Sequence, residues 1–177
     1  MRIFLTTVVA LILSSSILAQ DKMDFATWDK DDDGLIEHYE FTQMFINNFF
    51  KSWDPTAKEG ILEEDFFKHA YAGLDTDNDR YLSDEEWLIG YNYYYDDYVV
   101  HDEIAYIDEN GDGRLEYTEY YDVLYDSNYF TDIDLDADNY ISEYELADFV
   151  FGNWDINDSG TVSRSEFNNF KDYYLDV

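Results

Sequence analysis

Residues 29–40 read Asp29-Lys30-Asp31-Asp32-Asp33-Gly34-Leu35-Ile36-Glu37-His38-Tyr39-Glu40, and their spacing decides the fold. Side-chain oxygens stand at positions 1, 3, 5, 9 and 12 of the twelve, with glycine at 6 and isoleucine at 8. In a tight loop the side chains at 1, 3 and 5 converge on one point. Position 6 must turn sharply there, which suits a glycine at positive φ. Five further windows of this length begin at Asp54, Asp75, Asp108, Asp134 and Asp155. The six windows hold 30 of the chain's 42 Asp and Glu within 72 residues, so the acid is clustered and needs a local reason.

The flanks agree from window to window. The residue before each is Trp28, Trp53, Leu74, Ile107, Ile133 or Trp154, and three residues earlier stand Phe25, Phe50, Tyr71, Ile104, Phe130 and Phe151. That i, i+3 spacing marks the apolar face of an incoming helix. Position 8 is Ile36, Ile61, Leu82, Leu115, Ile141 or Val162, which suits a short β contact between loops. Position 13 is Phe41, Phe66, Trp87, Tyr120, Leu146 or Phe167, opening the next apolar face.

Residues 25 to 172 therefore resemble the EF-hand calcium-binding superfamily, which implies an all-α array of helix–loop–helix units with short β contacts between loops. Such a loop surrounds Ca²⁺ with 6–8 oxygens, including the position-7 carbonyl and both carboxylate oxygens of the position-12 Glu. The resemblance implies that the first loop binds through Asp29, Asp31, Asp33, Leu35 (carbonyl), Glu37 and Glu40. In the third the set is Asp75, Asp77, Asp79, Tyr81, Ser83 and Glu86; in the fourth, Asp108, Asn110, Asp112, Arg114, Glu116 and Glu119. In the fifth it is Asp134, Asp136, Asp138, Tyr140, Ser142 and Glu145, and in the sixth Asp155, Asn157, Ser159, Thr161, Ser163 and Glu166. At the turn, Arg80 and Asn139 replace glycine. Asn enters the left-handed region readily, whereas Arg there costs about 1–2 kcal/mol. In the Asp54 window Lys58 occupies position 5, Leu62 position 9 and the shorter Asp65 position 12, so this loop is expected to keep its shape without binding an ion tightly.

Loops 29, 54 and 75 repeat as loops 108, 134 and 155, so the chain reads as a duplicated three-loop unit with pseudo-repeats over about 24–100 and 101–177. Glu143 to Trp154 leaves room for a single helix about 18 Å long. That helix leaves one loop and enters the next, which makes sequential pairing awkward and predicts a zigzag. Loops 29, 75, 108 and 155 are then expected at one end, and 54 and 134 at the other. The 21 residues from Trp87 to Ile107 have room for two helices.

Of 177 residues, 42 are acidic and 10 basic, giving a formal charge of −32. That balance disfavours nucleic acid and anionic membranes as partners and favours cations. An aromatic content of 20% argues against a disordered acidic chain. The absence of cysteine excludes disulfides and zinc–thiolate sites. Arg2, the apolar run Ile3 to Leu13 and the more polar stretch ending at Ala19 read as a signal peptide over residues 1–19, which predicts no membrane insertion after cleavage. The C-terminus, Tyr173-Tyr174-Leu175-Asp176-Val177, is not a KDEL-type signal, so a secreted or secretory-lumen location is expected. With its acidity and six loops, the chain is similar in architecture to the reticulocalbin and calumenin group. His38, His69 and His101 lack zinc-ligand spacing and no phosphate loop occurs, so no enzyme is expected. The Tyr91–Tyr98 stretch reads as aromatic core on a helix, and Asn157 in its sequon as an unmodified ligand. Two functions remain: calcium buffering or storage with a calcium-stabilised fold, or a calcium sensor that exposes an apolar groove to a protein partner. Sensors favour Met-rich grooves, and beyond the signal peptide only Met23 and Met44 remain.

Overall fold

In chain order, helix α1 (Phe25–Trp28), strand β1 (Leu35–Glu37) and helix α2 (His38–Phe45) frame the first loop, and α2 runs on into a π-helical turn, Ile46–Phe50. Strand β2 (Ile61–Leu62), α3 (Glu63–Leu74) and α4 (Asp84–Gly90) follow, α4 again continuing as a π turn over Tyr91–Tyr95. A 3₁₀ turn (Ile104–Tyr106), α5 (Tyr117–Tyr125), β3 (Tyr140–Ile141), α6 (Glu143–Trp154), β4 (Thr161–Ser163) and α7 (Arg164–Tyr174) complete the chain. This computed structural model describes residues 24–50 and 60–174. The signal-peptide reading of 1–19 and residues 54–59 of the second loop lie outside the described residues.

The described residues fall into two compact units, one drawn from Met1–Lys58 with Ser142–Val177 and the other Glu59–Ile141. Each unit draws residues from both halves of the chain. In the first, β1 and β4 pair antiparallel with Leu35 opposite Ser163, Ile36 opposite Val162 and Glu37 opposite Thr161. Loop 29 is thus joined to loop 155. In the second unit Ile61 pairs with Ile141 and Leu62 with Tyr140, joining the loops that begin at Asp54 and Asp134. Leu82 and Leu115 exchange backbone hydrogen bonds of 2.9 and 3.0 Å, joining loops 75 and 108. All the expected position-8 contacts form.

A single helix, α6, fills the interval from Glu143 to Trp154, as its length predicts. Within the second unit α3 does the same, carrying β2 at its start and Asp75 at its end. The incoming elements are less uniform than the i, i+3 pattern suggests. Among the described residues, only loops 75 and 155 are entered by helices of twelve residues. Loop 29 is entered by the four-residue α1 and loop 108 by the 3₁₀ turn. Turns precede loop 134, with Asp132 N–H donating to the Asn128 carbonyl and Asp134 N–H to that of Phe130. The interval from Trp87 to Ile107 holds the end of α4, its π turn and the 3₁₀ turn rather than two helices. Tyr95 reaches the core from the end of the π turn.

Each unit has its own aromatic core. In the first, Trp28, Phe41, Trp154 and Phe167 are buried, with the Trp28 and Trp154 rings 5.0 Å apart. In the second, Trp87 stacks on Tyr95 at 5.9 Å and the Tyr95 and Tyr120 hydroxyls are 2.7 Å apart. Tyr95 therefore belongs to the core, as the helical reading of the tyrosine stretch expects. At Gly60, φ is +131° and a Cβ would lie 2.9 Å from the Ile141 carbonyl oxygen, so only glycine lets β2 approach β3.

Candidate metal centre

Five loops are described over their whole length, and their backbones follow one rule. Positive φ occurs at position 6 in Gly34, Arg80, Gly113, Asn139 and Gly160. It recurs at position 4 in Asp32, Asn78, Gly111, Ala137 and Asp158. This second turn was not read from sequence. Asp, Asn and Gly at position 4 were its signal, while Ala137 gave none.

The two turns aim backbone N–H groups inward, and the acidic side chains accept them. Position 1 receives the N–H groups of positions 5 and 6. Asp29 accepts from Asp33 and Gly34 at 3.2 and 3.0 Å, Asp75 from Asp79 and Arg80 at 3.0 and 2.9 Å. Asp108 accepts from Asp112 and Gly113 at 3.3 and 2.7 Å, and Asp155 from Ser159 and Gly160 at 2.9 and 2.6 Å. Asp134 accepts from Asp138 and Asn139 at 3.2 and 3.0 Å. Positions 3 and 5 continue the pattern. Asp31, Asp77, Asn110 and Asp136 accept from the residue two further on, as do Asp33, Asp79, Asp112 and Asp138. In loop 155 the Ser159 hydroxyl donates to the Thr161 carbonyl at 2.9 Å, and the Asn157 amide to Glu166 at 2.8 Å.

The position-12 Glu closes each loop. Glu40 accepts N–H bonds from Lys30, Asp31 and Glu37, and Glu119 from Glu109, Asn110 and Glu116. Glu86 accepts from Thr76 and Ser83, Glu166 from Asn157 and Ser163, and Glu145 from Ser142. Positions 9 and 12 therefore form the capping box of the outgoing helix, so one Glu both starts a helix and faces the loop.

Burial separates these carboxylates from the rest. Every buried Asp or Glu among the described residues sits at position 1 or 12 of a loop: Asp29, Glu40, Asp75, Glu86, Glu119, Asp134, Asp155 and Glu166. Burial pushes the Glu40 and Glu86 carboxyls up, but the hydrogen bonds they accept outweigh it and hold both below the usual range. Glu37 behaves in the opposite way. Its hydrogen bond with Glu40, together with partial desolvation and the Glu40 and Asp33 charges, pushes it up to about 7.

Three groups of carboxylate oxygens gather within 4.8 Å inside single units: Asp29, Asp31 and Glu40; Asp31, Asp33 and Glu37; and Asp75, Asp77 and Glu86. Loops 108 and 155 show no such trio among the described residues, since Asn110 and Asn157 replace the position-3 carboxylate. The fifth loop spans the boundary between the units, with Asp134, Asp136, Asp138 and Tyr140 on one side and Ser142 and Glu145 on the other. In the second loop, Asp65 stands 3.7 Å from the Lys68 ammonium, and both side chains are about half exposed.

The donors are oxygens throughout, several to a loop, on turns that already converge. That set fits a hard divalent cation such as Ca²⁺ and lacks the sulfur and imidazole ligands of softer metals. A family model of the EF hand matches residues 146–171, from the last helix before loop 155 into α7. No curated protein and no solved structure matches the chain. The match and the acidic clusters point to the EF-hand superfamily and imply calcium binding. Kinship with the reticulocalbin and calumenin group draws no support from these comparisons.

Proposed function

We propose that this chain is a secreted or luminal calcium-binding protein that buffers or stores the ion, is stabilised by it and has no catalytic role. The observation that carries the reading is the burial pattern: the only buried carboxylates among the described residues are those at loop positions 1 and 12. Buried charge is costly unless it is paired or coordinates a metal. Within these loops backbone N–H groups supply part of the compensation, and a divalent ion supplies the rest. Ion binding is then in part folding free energy.

Buffering is favoured over sensing because, among the described residues, the tryptophans and the one methionine that could line a groove are committed to the cores. Trp28, Trp87, Trp154 and Met44 are all buried. The leader-like residues 1–19 support a luminal or exported location.

Calorimetric titration of residues 20–177 with calcium tests the reading. About five sites with dissociation constants of about 10⁻⁴ M are expected, the range of extracellular modules. An apolar dye should bind less after calcium is added. Absence of saturable binding refutes the proposal, while one or two sites of about 10⁻⁶ M with calcium-enhanced dye binding favour the sensor. Export from a secretory cell with a new N-terminus at Gln20 tests the location.

A further inference from the structure

We infer that Arg114 is a built-in counter-ion linking loops 75 and 108, so that filling loop 108 disfavours filling loop 75. This rests on the calcium-binding reading above. Position 7 is Leu35, Gly60, Tyr81, Tyr140 and Thr161 in the other five windows, and only in loop 108 is it basic. The chain has 10 basic residues against 42 acidic ones, so a cation at this place is not diluted among many.

The Arg114 backbone belongs to loop 108: its N–H donates to Asp112 at 2.9 Å, and its carbonyl is the position-7 oxygen that the EF-hand resemblance gives to the ion. Its side chain belongs to loop 75. The guanidinium carbon lies 5.0 Å from the centre of the Tyr81 ring, and Nη1 lies 3.8 Å from Oδ2 of Asp79. Asp79 is the position-5 carboxylate of loop 75 and Tyr81 its position-7 residue. The neighbouring Leu82–Leu115 bridge fixes the two loops at this level. An open depression of about 400 Å³ lies here, lined by Asp79, Tyr81, Ser83, Asp84, Glu85, Gly113 and Arg114.

The consequence is electrostatic. With loop 75 empty, the guanidinium partly neutralises Asp79. An ion entering loop 75 must share that carboxylate with a fixed positive charge and is repelled by it. An ion in loop 108 neutralises Asp108, Asp112, Glu116 and Glu119, the acids that otherwise draw the guanidinium back. Asp79 is then its nearest unneutralised partner, so the contact strengthens and loop 75 weakens. Both side chains are about half exposed, so screening keeps the effect moderate. A unit charge about 7 Å from a divalent ion at 0.15 M salt changes affinity by about two- to five-fold.

Site-resolved NMR titration of residues 20–177 with calcium tests this, following the Gly113 amide for loop 108 and the Arg80 amide for loop 75. In the unaltered chain Gly113 should reach its midpoint first. In Arg114→Gln the Arg80 midpoint should move to about two- to five-fold lower calcium, with Gly113 moving less and the gap narrowing. Tyr81→Leu, which keeps the ligand carbonyl and removes the ring, should give part of that shift. Lys68→Gln, whose ammonium pairs with Glu64 at 2.7 Å, should give none. In metal-free protein the Arg114 Nε–H resonance should move on Tyr81→Leu, a readout that needs no ion. Unchanged midpoints in Arg114→Gln, or equal shifts of both loops, overturn the inference while leaving calcium binding intact. Failure of the unaltered chain to bind calcium overturns the functional reading itself.

Discussion

Arg80 occupies the sharp turn of loop 75 with φ at +77°, where the first, fourth and sixth loops have glycine. A side chain in the left-handed region costs about 1–2 kcal/mol. Glycine escapes that cost but gives up about 0.5–1 kcal/mol to the greater freedom of its unfolded chain. The balance favours glycine over alanine here by about 0.5–1 kcal/mol. Arg80→Gly also removes a positive charge from an acidic chain, so the informative comparison is with Arg80→Ala, which removes the same charge and keeps the strain. Both variants retain the backbone N–H that Asp75 accepts and the carbonyl that takes the Tyr71 hydroxyl at 2.9 Å. Urea unfolding in chelator, followed by tryptophan fluorescence, should place Arg80→Gly above Arg80→Ala by that margin. A parallel gain is expected for Ala137→Gly at position 4, where φ is +59°. Equal stability of the two Arg80 variants would refute the assignment of strain to this turn.

Glu40→Gln removes a carboxylate that accepts three backbone N–H groups, and calorimetry should show one calcium site fewer. Tyr71→Phe removes a hydroxyl that contacts the carbonyls of Arg80 and Leu115 at 2.9 and 2.8 Å; denaturant unfolding should show a loss of about 0.5–1.5 kcal/mol. Adding calcium to 100 times the dissociation constant should stabilise the chain by about 2.7 kcal/mol per filled site, read as a higher melting temperature that chelator reverses. Burial and nearby carboxylates raise the Tyr71, Tyr98 and Tyr117 phenols above their ordinary value of 10.0. The neutral phenols are thus favoured in the fold, so stability holds below pH 10 and falls as pH rises beyond it; absorbance titration should show these three tyrosines ionising above their ordinary value.

The loops were legible because calcium chemistry constrains side-chain type at fixed spacing. Asp29 and Glu40, eleven residues apart in sequence, lie in one cluster for that reason. The helices leaving the loops were legible too, since the apolar residue at position 13, such as Trp87 or Leu146, is buried on each of them. Incoming elements were harder to read. Ile104 and Ile107 bury themselves on a 3₁₀ turn as readily as on an α-helix, because i, i+3 contacts satisfy both periods. The left-handed turn at position 4 was hidden at Ala137, whose side chain carries no preference for it.

Pairing was half legible, and the reason is geometric. A twelve-residue helix shared by two loops keeps them about 18 Å apart, so loop 54 cannot pair with 75 across α3, nor loop 134 with 155 across α6. Each loop must then find its partner elsewhere in sequence. Loops 75 and 108 have no such helix between them, because α4 ends at Gly90 and only turns follow the π segment. They become the single pair of sequence neighbours, joined at Leu82 and Leu115. Within the second unit loop 134 meets the strand of loop 54 at Ile61, and within the first unit loop 155 meets loop 29 at Ile36. Every pair therefore joins a loop from the first half of the chain to one from the second. Helix length forbids the sequential pairs, but which loops meet instead depends on where the chain reverses. That reversal lies in the Trp87 to Ile107 interval, whose tyrosine-rich sequence fits a second helix as well as the turns it adopts.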